Sequence, residues 1–343
     1  MLAEIREQPG ALQRTLEEEL RPIEELRRRL EVQRPRLIML AARGTSDNAA
    51  LFGRYLLEIT TGIPVSLAAP SIFTLYKAPV NLDGVLVVAI SQSGESTDTN
   101  YVLERAREQG ALTIGVTNEA ASTLARISEH VFLVRAGKEK SVAATKTYTG
   151  QLLMLYLLAY ALGGRIHPDD LKRIPDLAAS ALTLEDEIAS RSERYRFMEH
   201  TVVVGRGLNY SNAFEFALKL METCYVVAER FSSADLLHGP IAMVGQAFPA
   251  FVFAPAGVTW PGIRETLAKL DQVGAESTII TDRGNPEALD SYKRSICIPA
   301  ELDDMFTPIP YIIPMQLFAA RLAEQKGLNP DRPRTLSKVT RTL

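Results

Sequence analysis

Short apolar runs alternate with longer amphipathic segments along most of this chain. At the amino terminus, apolar residues recur every three or four positions between charged ones, at Leu12, Leu16, Leu20, Ile23 and Leu26. This period predicts helix over about the first 33 residues. Apolar runs without alternation then follow at residues 36–42, 85–90, 112–117 and 131–134, with helical patterns between most of them. Such runs are typical of parallel strands that are buried on both faces of a sheet.

The same alternation begins again after a charged helical segment over residues 169–194. Further strands are predicted at residues 201–204, 248–253, 277–281 and 296–298, and Arg43-Gly44 recurs about 163 residues later as Arg206-Gly207. An internal duplication of one doubly wound unit is the simplest account of this spacing. We therefore predict an α/β protein with an amino-terminal helical segment (1–33), a first domain (34–165), a helical connector (166–195), a second domain (196–328) and a tail (329–343).

Composition narrows the class of protein. A chain of 343 residues that are 46% hydrophobic and 23% charged can fill two domain cores. Its formal net charge of −3 argues against a nucleic-acid-binding surface, and the apolar stretch at residues 151–162 is too short to span a membrane. The start of the chain lacks a signal-peptide pattern, and Cys224 and Cys297 form no CxxC pair. These features predict a soluble cytoplasmic protein that binds neither nucleic acid nor membrane.

Hydroxyl-bearing residues cluster where predicted strands end and helices begin. The loop Ser91-Gln92-Ser93-Gly94-Glu95-Ser96-Thr97 follows one strand, and the turn Gly44-Thr45-Ser46 follows the preceding one. Ligands of open α/β sheets bind at the carboxyl ends of the strands, and a helix start attracts anions. We predict a phosphate site there, with helix capping as the alternative. Its candidate residues are Gly44, Thr45, Ser46, Ser91, Gln92, Ser93 and Ser96.

A third hydroxyl-rich segment covers residues 141–147 and opens the most apolar helix of the first domain. Ala144 and Thr145 at its centre are further candidate ligands, and ordinary capping of the helix by Thr145 is the alternative. No GKS or GKT sequence follows any of the three segments, so a nucleoside triphosphate is disfavoured.

Ionisable residues of the second domain suggest acid–base chemistry. Glu215, Lys219 and Glu222 lie at positions i, i+4 and i+7 of a helix predicted over residues 212–224, which places them on one face. Surface helices often carry such trios, but the neighbours here are apolar, which favours an acid–base cluster. His238 lies in the sharp turn Leu237-His238-Gly239-Pro240, from which it can project into a cleft.

Lys338 follows a proline-rich stretch near the end of the chain, and a lysine docked in this way can form a Schiff base with a sugar carbonyl. The alternative is a frayed terminus. No two of the four histidines have metal-ligand spacing. We therefore predict a site with no metal and no other cofactor.

Taken in order, the GTS turn, the SQSGES loop, the Glu-x3-Lys-x2-Glu helix, the LHGP turn and the terminal lysine resemble the sugar isomerase (SIS) domain family. The chain is similar, from Glu4 through Lys338, to the isomerase half of glucosamine-6-phosphate synthases. The resemblance implies two tandem SIS domains. Each would be a three-layer unit with a doubly wound, parallel, five-stranded sheet flanked by helices.

The resemblance also implies roles for the candidate residues. The hydroxyl-rich segments would hold the phosphate of a sugar phosphate. Glu222 would move a proton between carbons 1 and 2, Lys219 would assist at the sugar hydroxyls, and Glu215 would orient the neighbouring lysine and histidine side chains. The family places His238 across the interface of a homodimer, where it would open the sugar ring. Lys338 would form an imine with the ketose.

Two departures from the synthase pattern shift the expected reaction. The isomerase-like region starts at the first residues, so no stretch is expected to hydrolyse glutamine. Ala144 stands where the synthase commonly has Ser, and the segments around Asp47 and Lys146, with the ending Lys338-Val339-Thr340, look more like stand-alone SIS deaminases. We therefore expect a deaminase that converts glucosamine 6-phosphate and water to fructose 6-phosphate and ammonia.

Two related activities stay open, because a fructosamine-6-phosphate deglycase or an ammonia-dependent glucosamine-6-phosphate synthase would use the same isomerising residues. A non-catalytic sugar-phosphate sensor is disfavoured. The chain has no spare basic DNA-binding segment, and it retains the acid–base set.

Overall fold

The computed structural model describes residues 1–338, so the end of the predicted tail, residues 339–343 with Val339 and Thr340, lies outside the described residues. The described chain forms two compact units that interleave in sequence. The first unit comprises residues 7–139, 144–175 and 337–338. The second unit comprises residues 1–6, 140–143 and 176–336.

Helices and strands alternate in both units. In chain order the helices are α1 (Leu2–Arg6), α2 (Gln8–Val32), α3 (Thr45–Thr61), α4 (Pro70–Thr74), α5 (Thr97–Glu108), α6 (Thr123–Ile127), α7 (Lys146–Ala161), α8 (Pro168–Leu171), α9 (Ile174–Leu182), α10 (Glu185–Glu193), α11 (Tyr210–Lys219), α12 (Ser233–Leu237), α13 (Trp260–Gln272), α14 (Pro286–Ser291) and α15 (Pro308–Gln325). The strands are β1 (Leu37–Ala41), β2 (Val65–Leu67), β3 (Val85–Ser91), β4 (Leu112–Thr117), β5 (His130–Leu133), β6 (His200–Gly205), β7 (Val227–Ser232), β8 (Pro249–Phe253), β9 (Glu276–Asp282) and β10 (Ser295–Ile298). Short 3₁₀ turns lie at Gly207–Asn209, Pro240–Met243 and Asp304–Phe306, and a π-helical turn lies at Leu220–Cys224.

The first unit is built around a five-stranded parallel sheet of order β2-β1-β3-β4-β5. Its central strand β3 is buried along its whole length and pairs with β1 and β4. Alternate side chains of a strand point to opposite faces of the sheet. Val85, Val87 and Ala89 pack with buried residues of α4, α5 and α6, while α3 packs on the sheet and α7 packs on α3. The predicted three-layer α/β arrangement is confirmed.

Helix α7 is buried at all 16 of its positions, because α2 and α3 of its own unit pack against it. A helix that is apolar all round is expected to be enclosed in this way. Its Tyr156 meets Phe52 of α3 edge-on, with the ring centroids 5.1 Å apart. Within residues 1–338, none of the helices is both long and apolar enough to cross a membrane.

The second unit repeats this topology. Its five-stranded parallel sheet has the order β10-β9-β8-β6-β7, which from the opposite edge matches the order of the first sheet strand for strand. The predicted duplication is therefore confirmed at the level of topology. Phe216, Phe251 and Phe318 pack edge-to-face on one side of the sheet, with ring centroids 5.0 to 5.8 Å apart. Trp260 and Ile263 of α13 cover the other side.

The sequence pattern missed the same strand in both sheets. These are β2, with three residues, and β7, where Val227 and Glu229 are exposed. Both lie at the edge of their sheet, next to β1 and β6. A short or half-exposed edge strand does not need the continuous apolar run that marks a central parallel strand.

Acidic residues gather at the carboxyl end of the second sheet. Asp282 ends β9, is buried, and accepts hydrogen bonds from the backbone N–H of Gly284 at 2.7 Å and from the Tyr311 hydroxyl. Burial raises the pKa of Asp282 above its ordinary value. Burial, with the nearby carboxylates of Asp303 and Asp282, also raises the pKa of Asp304 to about 6.

We expect Asp304→Asn to stabilise the protein at pH 7.5 relative to wild type, and to do so progressively less as the pH falls from 6 towards 4. The folded-state pKa of Asp304 lies above its ordinary value of 3.8, so ionising this carboxylate costs folding free energy at higher pH. Urea unfolding across this pH range measures the difference, with the exposed Asp290→Asn as control. A stabilisation that does not change with pH would contradict the assignment.

Candidate functional site

The serine-rich loop of the first unit connects β3, which ends at Ser91, to α5, which begins at Thr97. Gly94 has φ of 66°, and its N–H donates to the Ser91 hydroxyl at 3.1 Å. The N–H of Glu95 donates to the Ser93 hydroxyl at 3.2 Å. A Cβ at position 94 would lie 2.2 Å from the Ser122 hydroxyl oxygen. The tight turn therefore requires glycine, and it draws the serine hydroxyls back towards the loop's own backbone.

Helix capping, the alternative explanation for these hydroxyls, does not apply to Ser96. This residue stands at the N-cap of α5 but makes no side-chain capping bond, and its hydroxyl lies 3.0 Å from that of Thr99. The Glu95 carboxylate accepts the backbone N–H and the hydroxyl of Thr123, at 2.8 and 2.9 Å. Its negative charge is thereby engaged at the start of α6. Because Ser96 does not cap α5 and the Glu95 charge is engaged by Thr123, the loop can receive an anion.

The second hydroxyl turn follows the neighbouring strand β1. Gly44 has φ of 59°, and α3 begins at Thr45. Ser46 is buried in the first turn of this helix, where its hydroxyl oxygen accepts a hydrogen bond from Nε2 of Gln151 on α7 at 2.9 Å. Because β1 and β3 are paired and parallel, both hydroxyl segments leave the same edge of the sheet.

Arg43 adds a positive charge to this edge. Its guanidinium donates to the buried carboxylate of Asp98 on α5 at 2.8 and 3.2 Å and is about half exposed. Burial raises the pKa of Asp47, in the first turn of α3, although the charge on Arg43 opposes that shift. A cation beside two hydroxyl turns and two helix starts favours an anionic ligand.

The third hydroxyl-rich segment is organised by Glu139, which the sequence analysis did not select. This fully buried carboxylate accepts the backbone N–H of Thr145 at 2.9 Å, and the N–H and hydroxyl of Thr147 at 3.2 and 2.7 Å. The start of α7 is therefore capped by Glu139, while Thr145 makes no side-chain capping bond. Ala144 is partly exposed beside it. The buried Lys146 pairs with Glu7 at 2.6 Å.

Lys338 of the tail meets the same carboxylate. Its Nζ lies 2.9 Å from Oε2 of Glu139, and its side chain is 24% exposed. Burial opposes ionisation of Glu139, but the charge on Lys338 and the donors on Thr145 and Thr147 outweigh burial, so the pKa of Glu139 is lowered. The terminus is therefore not frayed up to Lys338, because this side chain is docked in the first unit.

The acid–base trio lies in the second unit, where the helix changes type. Glu215 and Lys219 belong to α11, and Glu222 belongs to the π-helical turn that continues it directly, so the helix predicted over 212–224 is present but changes from α to π at Leu220. The Lys219 ammonium lies 2.6 Å from Glu222 Oε2 and 3.4 Å from Glu215 Oε1. Glu215 and Lys219 are fully buried, but the Glu222 side chain is 24% exposed. Glu222 is thus a fixed carboxylate that solvent or a substrate can reach.

His238 stands apart from this trio. It follows α12 and precedes Gly239, whose φ is 144°, and its side chain is exposed. Within residues 1–338 that side chain takes part in no hydrogen bond or ion pair. His238 is therefore exposed in a sharp turn, and both its projection into a cleft and its orientation by Glu215 stay predictions.

The predicted residues therefore form two groups. The candidate phosphate ligands of the hydroxyl segments, including Ala144 and Thr145, and Lys338 belong to the first unit, and the trio and His238 belong to the second. Sequence reasoning missed Arg43, Glu139 and Gln151. A usable signal existed for Gln151, since it is a lone amide directly before the apolar stretch of α7. No local signal marks Glu139, because its partners are brought to it by the fold.

The chain is similar to known proteins along most of its length. The model of the SIS domain family matches residues 32–161 and 198–323. The chain is 36% identical over 344 residues to the glutamine–fructose-6-phosphate aminotransferase [isomerizing] of Methanothermobacter thermautotrophicus, covering 98% of this chain and 56% of that protein. It thus spans little more than half the length of such relatives.

Solved structures show the same fold. The C-terminal domain of glucosamine-fructose-6-phosphate aminotransferase from Francisella tularensis has a TM-score of 0.87 and 31% identity, covering 97% of each chain. Glucosamine-6-phosphate deaminase from Thermotoga maritima has a TM-score of 0.79 over 99% of each chain. Its identity is only 21%, so this second likeness concerns the fold alone.

Replacement of Gly94 tests the geometry of the serine-rich loop. Gly94→Ala is expected to cost more stability than Gly110→Ala, by about 1–3 kcal/mol, because only the first substitution adds a steric overlap. Both glycines have positive φ, but a Cβ at position 110 meets no atom within 4 Å. Urea unfolding of the two variants measures this difference. Equal losses would show that the loop accommodates a side chain at position 94.

Proposed function

The chain belongs to the SIS domain family, and from that premise we propose that it is an aldose–ketose isomerase that deaminates glucosamine 6-phosphate, giving fructose 6-phosphate and ammonia. The observation that carries this proposal is the Glu222 carboxylate, which is partly exposed and held at 2.6 Å by a buried ammonium. General-base catalysis at carbon requires a carboxylate that is fixed yet accessible to substrate.

The hydroxyl segments would bind the phosphate. Its oxygens are strong acceptors, and the Ser91–Ser96 loop and the Gly44–Ser46 turn offer hydroxyl donors and helix starts at one sheet edge. Arg43 would add favourable charge, although Asp98 already accepts hydrogen bonds from it. Binding through the phosphate leaves the other end of the sugar for the chemistry.

Proton transfer would be the task of Glu222. In the open-chain amino sugar, Glu222 takes the proton from carbon 2 while O1 gains a proton from solvent, which forms an enolamine. Glu222 then returns its proton to carbon 1, leaving an iminium ion at carbon 2. Water adds to this iminium ion, and ammonia and a proton leave, so the ketone of fructose 6-phosphate forms, the proton gained at O1 is returned to solvent and Glu222 is again a carboxylate. Lys219 would supply positive charge as the O1 proton moves.

Lys338 and His238 would have supporting roles. The Nζ of Lys338 is already engaged by the Glu139 carboxylate at 2.9 Å. We therefore assign displacement of ammonia to water and keep Lys338 as a cation beside the third hydroxyl segment. His238 would open the sugar ring, and its exposure supports action across a homodimer interface. The reaction would take place in the cytoplasm, as the cysteine pattern led us to expect.

A second candidate is the reverse reaction, in which ammonia and fructose 6-phosphate give glucosamine 6-phosphate. The 36% identity to an isomerizing aminotransferase favours it. The same residues would act in both directions, because the intermediates are the same. The starting materials supplied in the assay therefore decide between the two.

The purified protein should release ammonia and fructose 6-phosphate in equal amounts from glucosamine 6-phosphate. Glu222→Gln should lower kcat by about 10²-fold or more, since general acid–base catalysis typically contributes that much. Its affinity for the sugar phosphate, measured by calorimetry, should stay near that of wild type. Glu229→Gln, an exposed change of the same kind in the second unit, is the control.

Two results would overturn this assignment. One is turnover of a fructosamine 6-phosphate with none of glucosamine 6-phosphate, which would identify a deglycase. The other is full activity of Glu222→Gln. Net synthesis from fructose 6-phosphate and an ammonium salt, with no measurable deamination, would favour the second candidate.

A further inference from the structure

Gln151 is a buried polar residue at the start of an apolar helical stretch. It lies in the second turn of α7, with 1% of its surface exposed, and the residues that follow it in the helix are apolar. Burying an amide is unfavourable unless its groups are hydrogen-bonded. Here Nε2 donates to the Ser46 hydroxyl oxygen at 2.9 Å, while Oε1 is buried and has no hydrogen-bond partner within residues 1–338.

This half-satisfied amide is a poor source of stability. One hydrogen bond is gained, but a buried acceptor is left without a partner, and that desolvation is unfavourable. An apolar side chain of similar volume would fill the same place without this disadvantage. Stability therefore does not explain the glutamine at position 151. The hydrogen bond that Gln151 donates to Ser46 does explain it.

A hydroxyl can donate one hydrogen bond and accept two. The Gln151 amide occupies an acceptor position on the Ser46 oxygen and cannot itself accept through Nε2. Gly44, not Ser46, is the N-cap of α3, and within residues 1–338 the Ser46 hydroxyl accepts from Gln151 but donates to no other group. Its proton is therefore directed to an acceptor other than Gln151 or the helix start, and a phosphate oxygen is such an acceptor.

We propose that Gln151 is a positioning residue that holds the Ser46 hydroxyl as a hydrogen-bond donor to the phosphate of the substrate. The inference rests on the proposed function for both the sugar phosphate and the binding of its phosphate by Ser46. Gln151 acts from the buried side of α3 and does not touch the ligand. Its contribution is the orientation of Ser46 before the ligand arrives.

The proposal predicts a loss confined to phosphate recognition. Gln151→Met keeps the volume but removes the amide donor, so the Ser46 hydroxyl can rotate. The KM for glucosamine 6-phosphate should rise about 2- to 10-fold, the range expected when one side chain must be ordered on binding. The loss should fall on KM more than on kcat. The affinity for inorganic phosphate, a competitive ligand, should fall by the same factor when it is measured by calorimetry.

A double-mutant cycle with Ser46→Ala separates positioning from a general structural effect. In the Ser46→Ala background, Gln151→Met should raise KM no further, because the hydroxyl that it positions is gone. Gln8→Met is the matched control, since Gln8 is another buried glutamine, and it accepts a hydrogen bond from Thr149 of the same helix at 2.7 Å. That variant should lower the melting temperature and leave KM unchanged.

Two outcomes would overturn the proposal. In one, Gln151→Met raises KM equally with and without Ser46. In the other, it lowers only stability, as Gln8→Met does. If no variant turns over glucosamine 6-phosphate, the proposed function fails but the positioning role is still tested. Weaker binding of inorganic phosphate by Gln151→Met, absent in the Ser46→Ala background, would then support it, and unchanged binding would refute it.

Discussion

The parallel sheet of the first unit is the constraint on which its chemistry depends. Parallel strands all end at one edge, so the turns that follow β1 and β3 emerge side by side although 45 residues separate Ser46 from Ser91. Helix starts accompany both turns and add partial positive charge. Burial of α7 behind α3 then allows Gln151 to reach Ser46 from the protein interior. A phosphate-sized anion is the ligand that this edge suits.

Buried charges fix the remaining functional groups. Lys219 is enclosed with Glu215 and Glu222, and Glu139 is enclosed with the helix start of α7 and Lys338. Removing one partner would leave an uncompensated charge in a poorly polarisable interior, which is strongly unfavourable. Each pair is therefore held in one geometry before any ligand binds, as electrostatic catalysis requires. The duplicated sheets have diverged in this respect, since the second carries Asp282 and Asp304 at the edge where the first carries hydroxyls.

The sequence allowed the architecture and much of the site to be predicted. Central strands such as β3 are continuous apolar runs, and the hydroxyl loops directly follow them, so pattern and chemistry coincide. Edge strands β2 and β7 lack that pattern. The π-helical turn that carries Glu222 obeys no local rule in its sequence and is stabilised by its surroundings. Glu139 could not be identified because its partners Thr147 and Lys338 are separated from it by 8 and 199 residues.

The central claim is that Glu222 carries a proton between two carbons of the sugar. Glucosamine 6-phosphate deuterated at carbon 2 tests it most directly, with the deuterium at carbon 1 of the fructose 6-phosphate product measured by NMR. Because the Glu222 side chain is 24% exposed, its acid form should exchange with water, and the product should retain less than one deuterium per molecule. Complete retention of the label at carbon 1, with the same rate and retention in Glu222→Gln, would contradict the account, because a direct hydride shift needs no carboxylate.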